Sequence, residues 1–140
     1  MPIFHRVYTE HNLIVLVHMG RIPDEEFLEF YKKLYESDIS IARMNHLVDL
    51  READSSPRSS NVLHQFADFM QSSLEGLTTG PKVAVVAPKD LSFGLARMYE
   101  AFADTIPWNF TVFRAIDEAL TWLGLPQDFI NGDDVDIGLN

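Results

Sequence analysis

The chain has 140 residues, 21 acidic and 11 basic side chains, a formal net charge of -10 and no cysteine. That length suits one domain able to bury a core without covalent staples, and the missing thiols exclude disulfide scaffolds, thiolate metal sites and cysteine nucleophiles. The acidic balance argues against nucleic acid and anionic membrane surfaces, because phosphate backbones and headgroups are held by clustered Lys and Arg.

Two strands are expected first, Ile3–Thr9 and Leu13–Met19, linked through Glu10-His11-Asn12 as a hairpin. Gly20 ends the second. A helix follows, with Pro23 in its first turn and Asp24, Glu25 and Glu26 at the positive end of its dipole. Phe27, Phe30, Tyr31, Leu34 and Tyr35 recur at helical spacing along one stripe. His46–Leu50 reads as a short strand and Arg51–Ser60 as a polar loop, with Pro57 inside it. The next helix spans Asn61–Leu74, with Val62, Phe66, Phe69 and Met70 on one face and Gly76 as its expected C-terminal cap.

Lys82–Ala87 is almost continuously apolar, as a parallel strand covered on both faces should be. Pro88-Lys89-Asp90 turns into a third helix, with Asp90 as its expected N-cap and Leu91, Leu95, Met98, Tyr99 and Phe102 on its core face. Gly94 inside that helix is unfavourable relative to Ala and suggests close packing against a neighbour. Phe110–Phe113 is the last strand and Ile116–Leu123 the last helix, stopped by Gly124 and Pro126. Residues 1–126 thus form a single domain, and 127–140, with Asp128, Asp133, Asp134 and Asp136, form an acidic tail.

The order β-β-α-β-α-β-α-β-α implies an α/β fold. The sheet is mainly parallel, with the first strand antiparallel and helices on both faces. Apolar runs such as Leu13–Val17 are strand-sized, well below the ~20 residues of a membrane helix. Met1-Pro2-Ile3-Phe4-His5 lacks the basic region and apolar stretch of a signal peptide, so a cytoplasmic location is expected.

With the elements laid out, the chain resembles the SpoIIAA-like family, part of the STAS group (sulfate-transporter and anti-sigma-factor-antagonist fold). The resemblance covers most of residues 3–125. It is carried by Lys82-Val83-Ala84-Val85-Val86-Ala87-Pro88 and Leu91-Ser92-Phe93-Gly94-Leu95-Ala96-Arg97-Met98-Tyr99-Glu100-Ala101-Phe102. Phe113-Arg114 and Glu118-Ala119-Leu120-Thr121-Trp122-Leu123 continue it. The resemblance implies a fold without an assigned activity. In anti-sigma antagonists of the group, a serine in an Asp-Ser-Ser-Gly-like stretch is itself phosphorylated, which makes Ser55 and Ser56 the corresponding phospho-acceptor candidates. Here Asp54-Ser55-Ser56 follows Asp49-Leu50 closely and Pro57 stands in the glycine position, a departure from that pattern. The fold is also similar to lipid-exchange domains that hold apolar ligands.

In an open parallel sheet, ligands bind beyond the carboxyl ends of the strands. Arg21, Arg51, Lys89 and Arg114 fall there, near helix N-termini, which makes them candidates for a small anionic ligand or an acidic partner. Loop cations paired with neighbouring acids are the competing explanation. Phe93 and Arg97 lie off the apolar stripe of the third helix and Trp108 lies in the Ile106-Pro107-Trp108 loop; all three are candidate contacts for a partner or a second copy, with packing at the sheet edge and in loops as the alternative. The five histidines show no metal-ligand spacing, and no nucleophile elbow or phosphate loop is present, so no metal, cofactor or catalytic set is expected. Two functions remain in view. One is a non-catalytic regulatory module that binds a protein or itself. The other is a carrier or sensor of a small apolar or anionic ligand, in a cavity lined by residues such as Phe66, Met70, Met98 and Phe102.

Overall fold

A 3-10 turn over Thr9–His11 folds β1 (Ile3–Tyr8) back antiparallel along β2 (Leu13–Arg21). The turn closes at Asn12, whose φ of 49° lies in the left-handed region that Asn tolerates better than most side chains. The computed structural model describes residues 3–129, and the remaining elements follow β2 in alternation. They are α1 (Asp24–Ser37), the single-turn α2 (Ile39–Ala42), β3 (Asn45–Asp54), α3 (Ser60–Ser73), β4 (Lys82–Val86), α4 (Asp90–Phe102), β5 (Asn109–Phe113) and α5 (Ile116–Leu123).

The strands lie in the order β1-β2-β3-β4-β5, with every pair after the first parallel. The fold is therefore α/β with a mixed, mainly parallel sheet. Sequential order and right-handed crossovers send all the connecting helices to one face. Ile14 and Leu16 of β2 accordingly pack with Phe27, Tyr31, Leu63, Met70 and Tyr99 of α1, α3 and α4. Alternate positions point the other way. Leu13, Val15, Leu47, Ala84 and Val86 pack against Ala119 and Leu120 of α5, which covers the second face.

Three local features depart from the sequence pattern. The first is β3, which continues through Arg51–Asp54, where no apolar alternation marks a strand. A register shift against Val17 and Met19 lets Glu52, Ala53 and Asp54 pair with Met19, Gly20 and Arg21. The second is α4, which Lys89 precedes as N-cap residue, so Asp90 opens the helix rather than capping it. Its face is also turned. Lys89 Nζ donates to the Ala53 carbonyl at 3.1 Å, and the Ser55 and Ser92 hydroxyls meet at 2.7 Å. These contacts pin the first turn of α4 to the end of β3 and direct Ser92, Tyr99 and Ala103 inward. Leu91 and Met98, expected in the core, are 53% and 39% exposed instead. Gly94 has no neighbour among the described residues where a Cβ would stand, so its expected close packing is absent there.

The third feature concerns the segment 127–140, expected to be a tail. Residues 130–140 lie outside the described residues. Gln127 bonds the Asp117 carbonyl and the Thr121 hydroxyl, and Phe129 packs edge-on against Tyr8 and His11. No helix among the described residues is long and apolar enough to cross a membrane.

Gly80 is required by close approach rather than by backbone angle, because a Cβ there would overlap the carbonyl of Pro107. Asn109 N donates to the Pro81 carbonyl at 2.9 Å and fixes the two loops side by side. Gly80→Ala is expected to destabilise the fold by about 1–3 kcal/mol, the usual range for overpacking. Urea unfolding measures it; an unchanged midpoint would mean the loops separate freely.

Candidate functional site

Between the sheet and the α1/α3/α4 layer lies a cavity of about 110 Å3. Its floor is laid by alternate strand residues: His18 of β2, His46, Val48 and Leu50 of β3, Val83 and Val85 of β4, and Phe110 of β5. On α1, Phe27, Tyr31 and Tyr35 follow one another at four-residue spacing and so stand in a row above that floor. Leu63, Phe66 and Met70 of α3 and Leu95, Ala96 and Tyr99 of α4 complete the roof, and Trp108 closes one end. Phe66 is central, with ring centroids 4.8 Å from Tyr31, 5.2 Å from Tyr99 and 5.3 Å from Phe27.

The polar groups in this wall are largely matched to one another. Tyr31 Oη lies 2.7 Å from His18 Nε2, and Tyr35 Oη 2.9 Å from His46 Nε2. His46 Nδ1 sits 2.7 Å from the Met44 carbonyl, which fixes Nδ1 as the protonated nitrogen and Nε2 as acceptor from Tyr35. Burial, aided by the Arg58 charge, pushes His18 down to about 3. Burial pushes His46 down to about 4, although its bond to Met44 favours the cation. Burial also raises Tyr31, Tyr35 and Tyr99 above the usual tyrosine range, so all five groups are uncharged at neutral pH. Tyr99 differs in one respect. It is 5% exposed and its hydroxyl has no hydrogen-bond partner among the described residues.

Asp54, Ser55, Ser92 and Arg58 line the end of the cavity at the carboxyl ends of the strands. Arg58, with only 8% of its side chain exposed, donates to Asp24 at 2.7 Å and to the Ile22 carbonyl at 3.2 Å, and stacks 4.0 Å from the centre of Phe27. Its charge is thus neutralised by Asp24, whose carboxyl is held below the usual range by bonds from Ser59 and Arg58 despite desolvation. A larger depression of about 380 Å3 between β1 and α1 lies at the surface, beside the exposed Glu29–Lys33 ion pair.

Of the four cations read from the sequence, Arg21 and Lys89 converge on the same rim. Arg21 donates to Ser56 at 3.3 Å, Lys89 reaches the Ala53 carbonyl, and both help to hold Asp54 below its ordinary value after the bonds from Ser56. Arg51 is engaged by Asp49 at 2.8 Å, and Arg114 by Asp90 at 2.7 Å and the Pro88 carbonyl at 3.0 Å, on either side of Lys89 in sequence. None of the four lines the cavity. Ser55 is half-buried against Ser92, whereas Ser56 is exposed. Phe93 lies under the Arg114 guanidinium at 3.9 Å, and Arg97 pairs with Glu100 at 2.9 Å. Trp108 packs inward on Tyr99 and Phe110. Of the expected cavity residues, Phe66 and Met70 line it; Met98 and Phe102 do not, because α4 is turned. The Tyr–His pairs and Ser92 emerge only from the structure, although tyrosines on an apolar stripe, each needing a partner for its hydroxyl, were a signal. No group of three potential metal ligands occurs among the described residues.

No protein-family model matches the chain, and no curated protein does. Among solved structures it is similar to an uncharacterised protein of the DUF3478 family with a SpoIIAA-like fold, from Shewanella loihica PV-4. The TM-score is 0.56 at 20% identity, over 86% of this chain and 91% of that one. The fold is SpoIIAA-like. At that identity the likeness carries the SpoIIAA-like architecture and leaves the cavity wall to be read from this chain alone.

The neutral histidines give a pH signature. Unfolded histidine titrates near 6.5, so below that pH the unfolded chain takes up two protons that folded His18 and His46 refuse. Stability should therefore fall on acidification from about pH 6.5 towards about 4, by up to ~1.4 kcal/mol per pH unit for each histidine, with no such dependence above pH ~7. Urea unfolding at pH 7 and pH 5 measures the loss. Ring resonances of His18 and His46 should stay fixed down to pH 5, and a titration near 6.5 would contradict their burial as neutral groups.

Proposed function

We propose that this chain is a non-catalytic SpoIIAA-like receptor or carrier whose ligand is a small, largely apolar molecule held in the cavity beneath α1, α3 and α4. The observation that carries the reading is a void of about 110 Å3 walled by aromatic and aliphatic side chains from every layer element on that face. Protein interiors are normally packed with few voids larger than a water molecule, so a cavity this size needs a reason. Water is a poor occupant, since it needs two to four polar partners and the histidine and serine groups of the wall are already paired. In this reading the chain works in the cytoplasm, which its lack of cysteine suits.

Xenon tests the reading directly, because dry apolar cavities take it up. Xenon dissolved under pressure should perturb NMR resonances of Phe66, Val85 and Tyr99. Ala96→Leu, which adds methylenes at the wall, should abolish that response with little loss of stability. Perturbations spread evenly over the surface, or an unaltered response in Ala96→Leu, would remove the cavity as a binding site.

A second reading, self-association, is favoured by the outer side of α4. Leu91 and Met98 are the most exposed large apolar residues of that helix, and Gly94 between them leaves open space. An antiparallel crossing of two copies at Gly94 would set Leu91 of each against Met98 of the other, the self-complementary register a two-fold dimer needs. Phe93, Arg97 and the end of the sheet bearing Trp108 flank that contact. Sedimentation at rising concentration should show dimers that Leu91→Asp dissociates; a monomer at all concentrations contradicts it.

A further inference from the structure

We propose that the ligand of the cavity is an amphiphile, a short unbranched alkyl chain ending in a single anionic group such as a carboxylate, held tail-first with its head at the rim between Arg21 and Lys89. The inference rests on the receptor reading above and narrows it to a chemical class.

Shape comes first. Phe27, Tyr31 and Tyr35 carry the roof along about 12 Å of α1. His46, Val48 and Leu50 carry the floor along about 13 Å of β3. A void of about 110 Å3 drawn out over that length is narrow. A compact engineered cavity of roughly 150 Å3 accepts benzene. At the same volume per carbon, the space here takes about four or five carbons, and its long axis suits an extended chain better than a ring.

The two ends differ in polarity. Met70, Trp108 and Phe110 close the cavity at the amino ends of the parallel strands. Asp54, Ser55, Ser92 and Arg58 line the opposite end. There Gly20 and Asp54 are exposed, so the wall reaches solvent. A tail with a polar head matches both ends, and the head stays in contact with water, so no charge is buried unpaired.

The rim sets the sign of that head. Arg58 is already occupied by Asp24 and the Ile22 carbonyl. Arg21 donates to Ser56 at 3.3 Å and Lys89 to the Ala53 carbonyl at 3.1 Å, and each keeps further N–H donors. Gly20 and Ile22, on either side of Arg21, line the cavity, as does Ala53. Asp54 is held below its ordinary range by bonds from Ser56 and then by the charges of Arg21 and Lys89, so all three groups lie together at the mouth. Two cations against one carboxylate leave a positive balance, opposite in sign to the chain's formal net charge of -10. One anionic head completes that balance, and a cationic head meets repulsion.

The experiment measures binding of hexanoate, hexanol, hexylammonium and cyclopentanecarboxylate to the intact chain by ligand-observed NMR and calorimetry. Wild type is compared with Arg21→Gln, which alters an exposed side chain, and with Ala96→Leu, which fills the wall. Hexanoate should bind about two- to fivefold more tightly than hexanol at low salt, the scale of an exposed ion pair, and added salt should remove the preference. Arg21→Gln should bring the two to near parity, since Lys89 then only balances Asp54, and should leave hexanol binding unchanged. Hexylammonium should bind more weakly than hexanol, and cyclopentanecarboxylate more weakly than hexanoate. Ala96→Leu should weaken hexanoate and hexanol alike.

If hexanol or hexylammonium binds as tightly as hexanoate, or if Arg21→Gln leaves hexanoate unchanged, the head is assigned wrongly while the receptor reading stands. A tighter cyclopentanecarboxylate overturns the linear tail in the same way. If hexanoate binds equally well to Ala96→Leu, it sits on the surface cations alone and the amphiphile is refuted. If no probe binds while xenon enters, the chemical class fails and the cavity remains a site; if xenon also stays out, the receptor reading itself fails.

Discussion

Sequential strand order with right-handed crossovers leaves the connecting helices a single face of the sheet to occupy, and this constraint governs most of what the molecule can do. Five strands at about 4.8 Å present a face roughly 24 Å wide. Three helices spaced at about 8–10 Å span a similar width. They must therefore lie side by side, and their height above the sheet is set by the side chains between. Here those side chains are mostly large rings: Phe27, Tyr31 and Tyr35 from α1, Phe66 from α3, and Tyr99 from α4. Rings of that size cannot fill every gap against a floor of Val83, Val85 and Val48. Among the described residues the opposite face carries one short helix, α5, over small and branched residues such as Ala84, Val86 and Ala119, with the rings of Phe113 and Trp122 packed against them. The cavity thus follows from an imbalance of side-chain size between two faces of one sheet.

Burial then decides the chemistry of the polar groups caught in that layer. His18 and His46 have the side chain most often used for proton transfer. Both are instead held neutral, locked to tyrosines that burial also keeps protonated. Neither pair can exchange a proton with a substrate near neutral pH without breaking a buried hydrogen bond. Their role is to satisfy each other and to let tyrosines serve in an aromatic wall. Tyr99 lacks such a partner among the described residues and keeps its buried hydroxyl unpaired.

Much of this architecture was readable because its determinants are local. The Lys82–Ala87 run, the stripe from Phe27 to Tyr35 and the Gly124-x-Pro126 stop each announce their element, and the order of elements gives the parallel sheet and its antiparallel first strand. The tail of β3 was hidden because Arg51-Glu52-Ala53-Asp54 becomes a strand only through pairing with Met19–Arg21 after a register shift. The turning of α4 was hidden for a related reason. Its apolar stripe predicts Leu91 and Met98 in the core, but the Ser55–Ser92 and Lys89–Ala53 contacts at the end of β3 set the helix rotation instead. Of the cations expected at strand ends, Arg51 lies within β3 instead, and Arg51 and Arg114 take carboxylates from their own neighbourhood. No pattern in the sequence encodes a void, which depends on the relative heights of helices far apart along the chain.

The SpoIIAA-like likeness and the cavity are independent observations, and that independence gives the functional reading its force. Architecture at 20% identity is preserved by element order and by alternation of apolar residues, conditions that many side-chain sets meet. A closed layer would meet them too: a smaller ring at Phe66 or a bulkier residue at Ala96 keeps the pattern while changing the free volume. Destabilisation from an unfilled cavity grows with its volume, and a buried hydroxyl without a partner adds to it. A chain under no demand but folding has an inexpensive way to remove the void, by a larger residue at Ala96. This sequence keeps it. An apolar occupant offsets the cost of the empty space, whereas water needs two to four polar partners in a wall whose histidine and serine groups are already paired.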